Sequence, residues 1–175
     1  MDVRLRRLIV FLFVPFLLMG CPRKAVVKPV DDAVKNEQTS TQADQVPEPS
    51  LRGKEYKEVS DLSVIYFDLD SSGLRADARD SLQKNSQILR QHSDWEALVE
   101  GHCDERGTTE YNLGLGQKRA AAVRQYYMSL GISGTRVATI SYGKENPSCS
   151  ESSEDCWSKN RRGVTKVRIN PDAKK

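Results

Sequence analysis

The sequence predicts an α+β domain in which a small mixed sheet has helices packed on one side. Two observations support this fold class. Short runs of β-branched and aromatic residues alternate with longer amphipathic stretches, in the order strand, helix, strand, helix, strand, strand. Apolar residues in the longer stretches recur every three or four positions, which is the period of a helix. The strand-like runs are residues 62–67, 97–101, 137–142 and 164–169.

The first strand-like run extends from Leu62 to Phe67, and the polar residues 68–73 close it with a turn. A stripe of apolar residues follows, with charged residues elsewhere, and predicts the first helix. That stripe consists of Leu74, Ala78, Leu82 and Leu89. In the second strand, alternate side chains share one face, which carries Ala97, Val99, Gly101 and Cys103.

The second helix has the clearest pattern in the chain. Apolar or small residues recur along it, and Gly131 supplies a stop after the last of them. The recurring residues are Leu113, Gly116, Ala120, Val123, Tyr127 and Leu130. Asn112 and Arg119 are seven positions apart, so they share one flank if both are helical. A polar loop separates the last two strands, with a short helix predicted around residues 158–162.

The 175 residues are enough for about one folded domain once processing and linker segments are removed. The formal net charge is +3, of which residues 1–20 contribute +2 through three arginines and Asp2, leaving +1 for the remainder. The remainder has no basic patch of the kind that nucleic-acid binding requires. Nucleic acid is therefore not an expected partner.

Residues 1–20 predict a lipoprotein signal peptide. Arginines precede an apolar run from Leu8 to Met19, which is too short for a membrane-spanning helix of about 20 residues. The sequence LMGC at residues 18–21 is similar to a bacterial lipobox and makes Cys21 the lipidated first residue of the mature protein. Pro22 follows it, not the aspartate that often retains lipoproteins in the inner membrane, so the predicted location is the outer membrane.

Residues 21–57 are predicted to form the lipidated cysteine and a disordered tether, with the folded domain occupying residues 58–175. The tether segment is rich in charged residues, Gln, Ser, Thr and Pro and has no apolar period. Such a segment buries too little apolar surface to offset its chain entropy. A flexible coil of this length has a root-mean-square span of about 33 Å.

The most informative stretch is residues 101–108, GHCDERGT, continued by YNLGLGQKRA at residues 111–120. It predicts a strand that runs into a glycine-bearing turn and then a long helix. Asp104 lies where the strand ends, and Arg119 lies roughly two turns into the helix. A fixed carboxylate and a fixed guanidinium beside a helix N-terminus can hold the ammonium and the carboxylate of one dipolar ligand.

This stretch resembles the signature of OmpA C-terminal-like domains, and within them the branch of peptidoglycan-associated lipoproteins. Three further segments support the resemblance in the family's order: YFDLD at residues 66–70, SYGKENP at 141–147 and SKNRR at 158–162. Together they cover roughly residues 60–170. The resemblance implies a βαβαββ sandwich and a structural binding function without catalysis.

The resemblance also implies a ligand site for the diaminopimelate residue of the peptidoglycan stem peptide. Asp104 and Arg119 match the acid and the arginine that hold this residue in the family, and Asn112 matches a third residue of the same pocket. Other positions match residues that surround this pocket in the family. They are Phe67 and Asp68 at the end of the first strand, and either Arg161 or Arg162 near the C-terminus.

By the same resemblance, the protein would link the outer membrane to the cell wall and engage the periplasmic proteins of the Tol system. The alternative is an interaction hub of the Tol system in which wall binding is secondary. Motor-stator and porin-type relatives of the domain are disfavoured, because no spanning helix or barrel is predicted before it.

Metal binding and catalysis are not expected. Residues 102–105 (HCDE) contain potential metal ligands, but adjacent residues on a strand alternate faces and cannot all converge on one ion. No nucleophile–base pair is placed as a hydrolase would require. No cofactor is predicted, and Cys103 is interpreted as a small core residue.

Cys149 and Cys156 are separated by six residues within one predicted loop. In an oxidising periplasm such a pair can form a local disulfide, and we predict that bridge. The alternative is two free thiols in a flexible insertion. In either case Cys103 has no partner.

Overall fold

The computed structural model describes residues 46–170. The predicted signal peptide, the predicted lipidation site at Cys21 and the first part of the predicted tether lie outside the described residues. Within residues 46–170, no helix has the length and apolar character needed to cross a membrane.

Four strands form a single mixed sheet. They are β1 (Ile65–Tyr66), β2 (Trp95–His102), β3 (Val137–Gly143) and β4 (Arg162–Ile169). The spatial order is β1-β4-β2-β3, with β4 antiparallel to both of its neighbours and β2 parallel to β3. The predicted α+β class with a small mixed sheet is confirmed.

Among residues 46–170, three α-helices accompany the sheet: α1 (Ala76–Gln91), α2 (Thr109–Ser129) and α3 (Glu154–Asn160). Residues of α1 and α2 pack on the sheet and form one apolar core, which contains Leu82, Leu89, Val99, Val123 and Tyr127 among others. As predicted from the alternation of β2, Ala97 and Val99 belong to this core. The intervening residues Glu96 and Glu100 form ion pairs with Arg168 and Lys166 of β4.

The first strand and the last helix have other boundaries than the sequence predicted, and the structure defines the start of the second helix. The first strand is only two residues long, because the side-chain amide of Asn85 bonds both the N–H and the C=O of Ser63 at 2.8 Å and withdraws them from the sheet. Helix α2 begins at Thr109, since Thr108 caps it by accepting a hydrogen bond from the N–H of Tyr111. Helix α3 begins at Glu154, where Ser153 has the same capping function.

The predicted tether boundary at residue 57 also differs from the structure, because residues 46–57 lie along the folded domain. The carboxylate of Glu48 accepts a hydrogen bond from the backbone N–H of Thr139 at 2.9 Å. Lys57 and Val167 exchange two backbone hydrogen bonds at 2.9 Å. This bridge lies on the edge of β4 that also pairs with β1, beyond the end of β1. Composition alone gave no sign of this docking, since each contact is made by an isolated polar group.

Strand β2 and helix α2 cross in direct backbone contact. A Cβ atom at Gly101 would lie 1.9 Å from the carbonyl oxygen of Gly116, and one at Gly116 would lie 2.3 Å from Oγ of Ser141. Two glycines are therefore needed for the helix to approach the strand this closely. The contact also sets the position of the turn between them, where the candidate ligand residues lie.

We predict that Gly101→Ala lowers the free energy of unfolding by about 2–3 kcal/mol or more, because backbone must move to admit the methyl group. Gly114→Ala, in the helix that Gly101 contacts and with open space around it, is the control for the same change of residue type. It is expected to raise the free energy of unfolding by about 0.5–1 kcal/mol. Urea denaturation of both variants measures the difference, and equal stability of the two variants would contradict the close-contact argument.

Candidate functional site

A cleft of about 390 Å³ opens where β2 ends and α2 begins. Its walls are the loop after β1, the turn of residues 103–108 and the first turns of α2. The side chains that matter for its chemistry are Leu69, Asp104, Arg106, Tyr111, Asn112 and Arg119. Asp104, Asn112 and Arg119 were predicted from the sequence, and the structure brings all three to this cleft.

Asp104 is the anionic centre of the cleft and is only 5% exposed. Arg106 holds its carboxylate with two N–H groups, Nη2 to Oδ2 at 2.7 Å and Nε to Oδ1 at 3.2 Å. Nη1 of Arg161 approaches Oδ2 from the other side at 3.2 Å. Burial alone would raise the pKa of Asp104, but the hydrogen bonds from Arg106 and Arg161 outweigh it and lower the pKa below its ordinary value.

Arg119 is fully buried beneath the cleft. Its guanidinium donates to three backbone carbonyls: Nε to Ser71 at 2.8 Å, Nη1 to His102 at 2.8 Å and Nη2 to Asp68 at 3.0 Å. Burial lowers the pKa of Arg119. The expectation that Arg119 offers a free guanidinium opposite Asp104 is thus not met, because its donors already tie the loop after β1 to the end of β2.

Asn112 is buried at the start of α2 and organises the turn. Its Nδ2 donates to the carbonyl oxygens of Arg106 at 2.7 Å and Thr108 at 3.0 Å. The sequence left two functions open for this residue, loop ordering or donation to a ligand. Both N–H groups of the amide are engaged by the turn, which favours loop ordering.

Phe67 and Asp68 do not line the cleft, but their backbone carbonyls contact two of the arginines around it. Phe67 is buried, and its carbonyl oxygen accepts a hydrogen bond from Nε of Arg161 at 3.3 Å. The carboxylate of Asp68 is exposed and pairs with Arg75 at 3.0 Å, while its carbonyl oxygen accepts from Arg119. The structure therefore places the Asp68 side chain outside the cleft, while its main chain holds Arg119.

The two arginines that the sequence could not separate have different positions. Arg161 is buried and contacts Asp104, as described above. Arg162 is the first residue of β4, and its Nη2 donates to the carbonyl oxygen of Asn146 at 3.2 Å. Arg161 is therefore the one of the two arginines that contacts Asp104.

Sequence reasoning did not identify several residues that line the cleft, among them Asp70, Arg106, Tyr111 and Leu69. Arg106 is the second cation on Asp104, and the available signal was its place two residues further along the same motif. Tyr111 and Leu69 are 55% and 57% exposed at the rim and supply its apolar surface. Their exposure depends on the turn geometry, which no local pattern encodes.

The polar loop between β3 and β4 contains the predicted disulfide, which joins Cys149 to Cys156. Cys103 is a buried free thiol whose pKa is raised by burial. Within residues 46–170, no group of three or more His, Cys, Asp or Glu side chains is arranged to hold a metal ion.

An open mixed sheet with helices packed on it and a cleft at the start of its longest helix defines a small α+β domain. Comparison with known sequences identifies the family: the chain belongs to the OmpA family, which matches residues 66–161. The strand, cleft and helix described above all lie within the matched residues.

Relatives within this family share one description. The peptidoglycan-associated lipoprotein of Mesorhizobium japonicum is 52% identical over 101 residues, and that of Pseudomonas aeruginosa is 41% identical over 101 residues. Each match covers 58% of this chain and 60% of the relative. These relatives are named for an association with peptidoglycan and not for a reaction.

Solved structures support the same fold. The crystal structure of the peptidoglycan-associated lipoprotein from Burkholderia pseudomallei has a TM-score of 0.58 at 40% identity, covering 60% of this chain and 89% of that chain. The C-terminal domain of Helicobacter pylori MotB has a TM-score of 0.58 at 18% identity, covering 63% of this chain and 88% of that chain. The second similarity concerns the fold alone.

We predict that Arg119→Lys lowers the free energy of unfolding by about 3 kcal/mol, since an ammonium cannot reach three carbonyls in different directions and buried acceptors lose their donors. Arg79→Lys, at an exposed position of α1, is the control for the same change of residue type. Thermal and urea denaturation measure both variants. A loss no larger than that of Arg79→Lys would show that the carbonyl contacts contribute little.

The lowered pKa of Asp104 predicts a specific pH dependence of stability. A group whose pKa is lower in the folded state stabilises that state above its unfolded pKa, about 3.9 for aspartate, and ceases to do so as the pH falls through the folded-state value. The stability difference between wild type and Asp104→Asn should therefore be largest near neutral pH and shrink in acid. Urea denaturation from pH 7 to pH 2, with Asp80→Asn as the baseline, measures it; a constant difference would contradict the assignment.

Proposed function

We propose that this protein is an outer-membrane lipoprotein that binds peptidoglycan non-covalently through the diaminopimelate of the stem peptide. It thereby links the outer membrane to the cell wall. The observation that carries the proposal is the buried carboxylate of Asp104, held between two guanidiniums at the mouth of a cleft. The relatives named for their association with peptidoglycan support it.

Diaminopimelate offers the cleft a dipolar end group, with an ammonium and a carboxylate on one carbon atom. Asp104 is the partner of the ammonium. Arg106 uses Nε and Nη2 on Asp104, and its Nη1 donates to no acceptor among residues 46–170, which leaves that edge for the ligand carboxylate. Arg119 and Asn112 act beneath the ligand by fixing the loop and the turn that form the walls.

The N-terminal part of the chain supplies the membrane end of the link. The signal peptide of residues 1–20 is removed in the proposed processing, and Cys21 receives the acyl chains. Acyl chains contribute about 0.8 kcal/mol per buried CH₂, so more than one chain holds a protein firmly. The residues between Cys21 and the domain then serve as the tether.

The proposed envelope function includes the periplasmic proteins of the Tol system as partners. Leu69, Tyr111 and Leu113 are exposed around the same end of the domain, with 57%, 55% and 40% of their surfaces accessible. Apolar side chains around a polar cleft are suited to a protein interface. This feature favours the alternative of an interaction hub as a second function of the same surface.

We predict that Asp104→Asn weakens co-sedimentation with purified sacculi at least about tenfold, since a charge-assisted contact to the ligand ammonium is replaced by a neutral one. Asp80→Asn, an exposed acid-to-amide change on α1, is the matched control and should bind as wild type does. The asparagine variant preserves shape, so its fold is verified by circular dichroism before binding is measured.

A defined ligand separates wall binding from other adhesion. Stem peptides that contain diaminopimelate should bind in calorimetry, whereas peptides with lysine in its place lack the distal carboxylate and should bind more weakly. Equal binding of both peptides, or sacculus binding that survives Asp104→Asn, would refute the proposed ligand. Pull-down of a Tol protein that survives Asp104→Asn while sacculus binding is lost would support the hub as a separate function.

A further inference from the structure

We infer that Glu154 and Trp157, on the disulfide-closed helix α3, are positioning residues that fix Arg106 and Arg161 on Asp104 and thereby set the affinity of the cleft. The inference rests on the proposed function, because it concerns the strength of the same ligand contact. It adds a redox-dependent element that lies outside the cleft itself.

Trp157 is the support for Arg106. The guanidinium carbon of Arg106 lies 4.2 Å from the centre of the Trp157 ring, within the range of a cation–π contact. The indole N–H donates to Oε1 of Glu105 at 2.9 Å, and Oγ of Ser152 donates to the same oxygen at 2.7 Å. Helix α3 thus holds two consecutive residues of the turn that follows Asp104.

Glu154 links the two cations that hold Asp104. Its Oε1 accepts from Nη2 of Arg161 at 2.5 Å, and its Oε2 lies 3.9 Å from Nη2 of Arg106. The Glu154 side chain is 62% exposed, so its contribution is mainly one of orientation rather than of strong ion pairing. Each guanidinium therefore has Asp104 on one side and a group of α3 on the other.

Helix α3 needs an external constraint to remain in this position. It has seven residues, too few for a helix that is stable by itself. The disulfide joins Cys149 to Cys156 in its first turn, and the buried Asn160 at its end closes the loop. Asn160 accepts from the N–H of Ser148 at 2.9 Å and donates to the carbonyl of Cys149 at 2.7 Å.

The effect of Trp157 on ligand affinity follows from how it orients the guanidinium plane of Arg106. With two of its nitrogens on Asp104 and its face on Trp157, the plane is fixed before the ligand arrives. Without the indole ring the side chain, 35% exposed, regains rotational freedom, which must be lost again on binding. Ligand affinity therefore falls although no ligand contact is removed.

The test compares sacculus-binding isotherms of the full-length protein in detergent micelles. Trp157→Ala is expected to weaken binding about tenfold, whereas Trp157→Phe, which keeps a ring under Arg106, should weaken it only about twofold to threefold. Glu154→Gln is expected to weaken binding about threefold. Asp155→Asn, the neighbouring acid-to-amide change in the same helical turn, should leave it unchanged, because Asp155 has no side-chain partner among residues 46–170.

Reduction tests the constraint on α3. Treatment with a phosphine reductant, or the double variant Cys149→Ser with Cys156→Ser, should weaken binding of the wild type. On Trp157→Ala it should have a smaller further effect, no larger than that of Glu154→Gln, because the support for Arg106 is already gone and only the contact of Glu154 with Arg161 remains to be lost. Fully additive effects of reduction and Trp157→Ala would contradict the inference.

A second readout distinguishes positioning from a general loss of structure. Nuclear magnetic resonance titration of the Asp104 carboxyl carbon should give a higher pKa in Trp157→Ala than in wild type, since Arg106 is no longer fixed on it, while the core signals remain unchanged. An unchanged Asp104 pKa, or equal binding by Trp157→Ala and wild type, overturns the inference. Absence of sacculus binding by wild type itself would instead refute the proposed function.

Discussion

The buried guanidinium of Arg119 is the interaction on which the cleft depends. One side chain from α2 donates to carbonyls of residues 68 and 71, in the loop after β1, and of residue 102, at the end of β2. A buried charge without partners is costly, so these contacts have to be made. The loop therefore has to lie where it can share this donor with the end of the strand. The separation between the loop and the strand end, and with it the width of the cleft, follows from the planar geometry of one arginine.

Above this support, charge is arranged in an alternating chain. Asp104 lies between Arg106 and Arg161, and Glu154 of α3 closes the chain by contacting both cations. Two acids and two bases form a network without net charge. Such a network keeps a buried carboxylate ionised, which agrees with the lowered pKa of Asp104. The side chains of Arg106 and Glu154 are partly exposed, so a ligand at the edge of the network can contact them.

The sequence predicted the parts of this structure that have a period. Both long helices and the core face of β2 follow from apolar spacing, and the motif around Asp104 identified the turn. It could not predict that β1 would be two residues long, because the cause is the side chain of Asn85, distant in the chain. Nor could the sequence separate Arg161 from Arg162. Which of the two side chains contacts Asp104 depends on the residue at which α3 ends and β4 begins, and local pattern does not determine that residue. The function of Arg119 was the hardest to predict from the sequence. Its burial is not visible in a local pattern, and a buried arginine donates to backbone carbonyls and not to a ligand.

The neutral set of Asp104, Arg106, Arg161 and Glu154 also supports the proposed dipolar ligand over a simple ion. An ammonium alone would approach an Asp104 already compensated by two guanidiniums, and it would have to share that carboxylate with them. A carboxylate alone would meet an Arg106 already paired with Asp104. In either case these four residues and the ligand together would carry a net charge within a partly buried site, where uncompensated charge is expensive. The proposed ligand carries both charges on one carbon atom, so it extends the alternation by one acid and one base and leaves the net charge unchanged. The proposed preference for a dipole therefore rests on the charge balance among these four residues and not on any single contact.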